Sequence, residues 1–241
     1  MENPLEQFEI KKIFPLDING VDISFTNSSL CMVITVAVVF LGMLLCLRKR
    51  DIVPTKSQAF AEAIYEFVQS IIGETLGKEG FKFVAFVFSL FLFVSFGNLL
   101  GLFPYSFTFT SHVAAVGTLS MFCFVLNIIL GIKHRGLSYF HTFCPEGLPI
   151  FMAPMIIPVE TLSLLAKPFS LTLRLAINMS VGHIMLKVLG TFIIAMQFFG
   201  FVPLIADMCI IMFEMFIALL QAYIYTILSC VYLSQAISNE E

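Results

Sequence analysis

Long stretches of this chain run without a single Asp, Glu, Lys or Arg: residues 23–47, 83–132, 188–206 and 215–239. A helix needs about 20 mostly apolar residues to cross a hydrocarbon core of about 30 Å. The first run predicts one crossing, 25–47. The second is long enough for two, and Pro104 with the polar stretch 106–111 divides it into 81–103 and 112–132. Short segments of alternating polarity would indicate a membrane β-barrel, but these runs are solidly apolar. Residues 55–77 differ. Phe60, Ile64, Phe67, Val68, Ile71 and Ile72 share one helical face, while Glu62, Glu66 and Glu74 interrupt the segment. It predicts an amphipathic helix lying at the interface, with a purely structural spacer as the alternative. The 52 residues of 148–199 show few turn signals after Pro158. As one helix they would be about 78 Å long, far more than a perpendicular crossing. Either two crossings break near Pro168, or one tilted, kinked helix runs through. Gly200 and Pro203 predict a turn, and a last helix follows at 204–236.

Composition narrows the class. Of 241 residues, 59% are hydrophobic and 12% charged, about half the ~25% charged share of a soluble domain. The mean hydropathy is +0.97. This excludes an ordinary soluble enzyme and a disordered chain. A net charge of −3 gives no basic footprint, so no nucleic-acid partner is expected. The expected fold is all-α, a polytopic helical membrane protein of about five spans in the lipid bilayer, forming a single membrane domain over 1–241.

Lys and Arg placement sets the expected orientation. Arg48, Lys49, Arg50 and Lys56 follow the first span, Lys78 and Lys82 precede the second, and Lys133 and Arg135 follow the third. These loops belong inside. The 104–111 link lacks Lys and Arg and belongs outside, together with the N-terminal segment 1–24. The first 22 residues lack the apolar core and cleavage site of a secretory signal. The six cysteines, 31, 46, 123, 144, 209 and 230, show no metal-ligand spacing, so neither a metal site nor a disulfide framework is expected.

The C-terminal half carries charge inside apolar sequence. Glu160, Lys167, Arg174, His183 and Lys187 fall in 148–199, and Asp207 and Glu214 fall in the last helix. A charge at the bilayer centre costs about 2.5–3.5 kcal/mol on insertion scales. Glu160, Lys167 and Arg174 are seven residues apart and share one helical face, with Asn178 one turn further. His183 is nine residues past Arg174, about half a rotation away, and Lys187 continues on that opposite face. Asp207, Glu214 and Gln221 form a third stripe, again seven apart. One reading is a buried network, with Arg174 paired to Glu214 as helix glue. The other is an ion or proton path. Arg cannot exchange protons, since its pKa stays above 12. Among titratable groups it is a fixed positive charge. Stripes on opposite faces suggest two half-paths. Lys167 is expected near an interface, in a structural role.

Two stretches resemble a known family. KPFSLTLRLAINMSVGH, residues 167–183, is similar to the signature of subunit a of the F-type ATP synthase. FEMFIALLQAYIYTILSCVYLSQAI, residues 213–237, resembles that family's last helix. PLEQFEI, ISFTNSSL and GNLLGLFPY also look like it, especially its mitochondrial and alphaproteobacterial branch. The resemblance implies a stator beside a rotating ring of c subunits, each with one membrane carboxylate. It implies two offset proton half-channels, with Arg174 facing the ring and blocking a short circuit between them. The matching channel residues are Glu160, Ser170, Asn178, His183, Glu214 and Gln221. Several bacterial members carry Glu at the position of His183 and His at that of Glu214, so the pair is swapped here. One tilted helical unit is favoured over two crossings for 148–199. The implied partners are the c-subunit ring, the peripheral-stalk subunit b and other ATP synthase subunits. An energy-coupling membrane is the expected location, a bacterial inner membrane foremost, with the mitochondrial inner membrane as the other setting.

No GxxxxGK[ST] loop occurs, so no ATP site and no cofactor are expected in this chain. Two other classes stay in view. A proton-coupled secondary transporter would carry internal repeats, but the halves lack clear similarity. An intramembrane enzyme would need more than His183 and Glu214 as acid–base partners.

Overall fold

The computed structural model describes residues 12–14, 17–18, 21–22, 24–48, 54–103, 108–136, 153–196 and 199–237. Of the features above, residues 1–11, 49–50, 104–107 and 148–152 and Cys144 lie outside the described residues. Among the described residues six α-helices follow in order: α1 (Asn27–Cys46), α2 (Lys56–Leu76), α3 (Val84–Gly101), α4 (Val113–Arg135), α5 (Ala153–Ala195) and α6 (Phe201–Ile237). A 3-10 segment, Gly77–Phe83, leads into α3, and another, Phe109–Ser111, lies between α3 and α4. Five of the helices, all but α2, are long and apolar enough to cross a membrane.

Local chemistry sets several boundaries. Thr26 caps α1, its hydroxyl accepting from the Ser29 N–H at 3.5 Å. α2 and α4 end at Gly77 and Gly136, whose φ values of 62° and 59° suit glycine. α5 is one continuous helix of 43 residues with Pro158 and Pro168 inside it. Of the two alternatives for this segment, the structure therefore shows the single helix, about 65 Å long. A membrane helix tolerates an interior Pro because neighbouring polar groups re-satisfy freed backbone atoms. Four residues after the second proline, the Thr172 hydroxyl donates back to the Pro168 carbonyl at 2.8 Å, a bond local to that turn. α6 begins at Phe201, before the Pro203 expected to mark a turn. Pro203 is its third residue, where no intrahelical N–H bond is lost.

Two short antiparallel ladders precede α1 and were not expected. Lys12–Phe14 pairs with Phe25–Thr26, and Asp17–Ile18 pairs with Val21–Asp22.

The bundle centres on α6. One core cluster joins Leu90 and Val94 of α3, Val116 and Cys123 of α4, Leu171 and Leu175 of α5, and Ala222 and Tyr225 of α6. Small residues such as Ala218 and Ala222 let the helices approach closely. Polar contacts lock the register: Asn98 Nδ2 donates to the Ala218 carbonyl at 3.2 Å, and Ser120 Oγ lies 3.2 Å from the Tyr225 hydroxyl. α2 buries Val68, Ile71 and Ile72 against Val84, Val87 and Cys230. Phe60, on the flank of the same apolar stripe, stays 63% exposed. The stripe is wider than one packing contact, so only part of it faces the bundle.

Candidate functional site

The polar groups of α5 and α6 fall into three places along the hairpin. The first is an open groove of about 700 Å³. Ser170, Arg174 and Asn178 line it from α5, and Gln221 faces them from α6. The α5 residues recur every four positions, so they stack on one helix face. Phe169, Leu173, Ile177 and Val181 form the apolar walls. Arg174 is exposed in this groove, and Phe169 and Ile177 beside it are 65% and 53% exposed. This chain leaves an apolar face with one cation at its centre uncovered.

The second place is buried. Glu214 of α6 is only 6% exposed, and neither carboxylate oxygen has a hydrogen-bond partner among the described residues. Its carboxyl lies directly over Gly182, where an added Cβ would be 2.7 Å from Glu214 Cδ. A side chain at that position would therefore force the Glu214 carboxyl to shift. His183, the next residue, meets a different element. Its Nε2 lies 2.9 Å from the hydroxyl of Thr108, just before the 3-10 turn. Lys187 of α5 and Asp207 of α6 act through their charges on His183 and Glu214 respectively. Ser180 Oγ lies 3.3 Å from the Ser111 carbonyl. Ser95 Oγ, Asn98 Oδ1, Thr110 Oγ1 and Asp207 Oδ1 are also buried without a hydrogen-bond partner among the described residues. Orphaned polar atoms are costly in a dry interior, and buried water ordinarily satisfies such groups.

The third place is towards the C-terminal end of α6. Lys167 donates to Gln235 Oε1 at 2.8 Å and stands 5.0 Å over the Tyr232 ring. Glu160 acts electrostatically on Lys167. This joins α5 to α6 and agrees with a structural role for Lys167.

The structure thus brings Ser170, Arg174, Asn178 and Gln221 together, and sets His183 and Glu214 apart from them. The pairing of Arg174 with Glu214 considered from sequence does not occur. Nor do His183 and Glu214 share a hydrogen bond, although Glu214 of α6 packs on Gly182, the residue before His183 in α5. Thr108, Ser111, Ser180 and Gly182 were missed as site residues. The one available signal was the polar stretch 106–111 within an otherwise apolar run. Asn98, noted in GNLLGLFPY, is fully buried between α3 and α6.

Fold and site together define a class: a polytopic helical membrane protein that holds a cation, an acid and a histidine within its apolar helices. A family profile described as ATP synthase A chain matches residues 29–234. ATP synthase subunit a of Rhodospirillum rubrum is 46% identical over 239 residues, covering 99% of both chains. That of Paramagnetospirillum magneticum is 45% identical over 244 residues, covering 98% of this chain and 99% of its own. That of Ehrlichia ruminantium is 44% identical over 239 residues, covering 98% of each. The chain belongs to the ATP synthase A chain family, the proton-translocating subunit of the enzyme's membrane sector.

Proposed function

We propose that the chain passes protons through two offset half-channels that meet a ring of c subunits at the Arg174 groove. The observation that carries this reading is the separation of the two polar places. Arg174 lies in an open, apolar-walled groove, while Glu214 is buried apart from it. The groove is the surface for the ring carboxylate. A fixed positive charge there favours the ionised acid, and lipid favours the protonated one. Arg174 therefore strips each arriving carboxylate and denies protons a direct passage past it. Asn178, Ser170 and Gln221 supply polar contacts beside it.

The buried pocket is the outer half-channel. Its orphaned oxygens call for water, and His183 and Glu214 relay protons through that water rather than by direct contact. Glu160, near the opposite end of α5, belongs to the inner half-channel. Moving one charge through 100 mV yields about 2.3 kcal/mol, so a rotating ring is needed to sum several protons per ATP. In this arrangement the loops bearing Arg48, Lys82 and Lys133 face inward. The chain assembles with other ATP synthase subunits, among them the c ring and peripheral-stalk subunit b, in a bacterial inner membrane.

Arg174→Ala tests the reading in the assembled complex. Proton-driven ATP synthesis in vesicles is expected to be lost while the subunits still copurify. Full synthesis by that variant would falsify the assignment.

A further inference from the structure

Thr108 sits where the C-terminal end of α3 meets α5. Its hydroxyl oxygen lies 2.9 Å from His183 Nε2 and 3.1 Å from the Gly101 carbonyl oxygen. A threonine hydroxyl has one hydrogen to give and lone pairs to receive. The carbonyl can only accept. Gly101 closes α3, so its carbonyl has no donor within the helix. Thr108 is 5% exposed, so its hydroxyl is enclosed by protein groups. One arrangement makes both contacts hydrogen bonds: Nε2–H donates to the hydroxyl oxygen, and the hydroxyl donates to Gly101. The reverse would set the hydroxyl lone pair against the carbonyl with no hydrogen between them.

We propose that Thr108 is a positioning residue that holds His183 in its Nε2–H tautomer. Nδ1 is then the ring nitrogen that takes up and releases the transported proton. This rests on the relay reading of His183 given above. The arrangement also requires glycine at position 101, because a Cβ there would lie 2.6 Å from Thr108 Cγ2. The last residue of α3 thus supplies both the acceptor and the space.

The test uses the assembled complex in lipid vesicles, labelled with ¹⁵N-histidine and observed at alkaline pH. The His183 signal is identified by its loss in His183→Gln. Wild type is expected to show the Nε2–H tautomer. Thr108→Val should give a mixture of tautomers and about a tenfold loss of proton-driven synthesis, below the ~10²–10⁴ attributed to a whole acid–base group. Thr108→Ser should restore both. An Nδ1–H signal in wild type, or an unchanged tautomer in Thr108→Val, overturns the proposal. Should the valine variant not assemble, the wild-type and serine spectra still decide. Full synthesis by His183→Gln would remove the relay itself. Lost synthesis by that variant, beside an Nδ1–H wild-type spectrum, would remove only the role of Thr108.

Discussion

The Arg174 groove and the Glu214 pocket lie on the same helical hairpin and are built in opposite ways. Arg174 is exposed at the centre of a face that this chain leaves uncovered. Glu214 is buried and pressed against Gly182, and neither of its carboxylate oxygens has a hydrogen-bond partner among the described residues. A site whose partner is another subunit has to stay open and carry its charge on the surface. A site whose partner is water has to be enclosed and polar. The difference explains why one hairpin can hold a cation and an acid without their neutralising each other.

Four substitutions grade that contrast. Arg174→Ala removes the fixed charge of the groove and should abolish synthesis outright, read as ATP formed under an imposed proton gradient. Glu214→Gln keeps the shape of the pocket but removes its proton exchange. Proton flux in vesicles should fall by about 10²-fold, the low end for an acid–base group, and unchanged flux would refute the relay. Gly182→Ala forces the Glu214 carboxyl out of its position. Overpacking of this kind costs about 1–3 kcal/mol, so both the thermal stability of the complex and its flux should drop, the flux less than in Glu214→Gln. Tyr225→Phe is the control. It removes the 3.2 Å contact with Ser120 in the core, outside both places. Interhelical hydrogen bonds in membranes average about 0.6 kcal/mol, so a small loss of thermal stability with normal flux is expected. A large flux defect would mean that the core and the pocket are not separable.

Much of this contrast is legible in the sequence. The charge-free runs 23–47, 83–132 and 215–239 locate α1, α3, α4 and most of α6 because the bilayer penalises charge so heavily, whereas α5 carries its charges within its length. The nine-residue step from Arg174 to His183 already puts them on opposite faces of α5. What sequence could not supply is depth and partner. Arg174 and Glu214 are equally conspicuous as charges, and nothing in their spacing says that one is exposed and the other enclosed. Thr108 was invisible for a different reason. A hydroxyl in a loop obeys no periodicity, and its importance comes from a contact 75 residues away in the chain. Pro203 misled because proline marks a break inside a helix but is welcome in the first turn. Gly182 reads as a weak spot in a helix until the carboxyl packed on it is seen.

The separation of the groove from the pocket is tested most directly by passive proton leak. Vesicles carrying the Arg174→Ala complex, under an imposed potential and without ATP, should leak protons faster than wild type, because the barrier between the two half-channels is gone. Adding Glu214→Gln should suppress that leak, because the pocket feeds it. An Arg174→Ala complex that leaks no faster than wild type, or whose leak is indifferent to Glu214→Gln, would contradict the account.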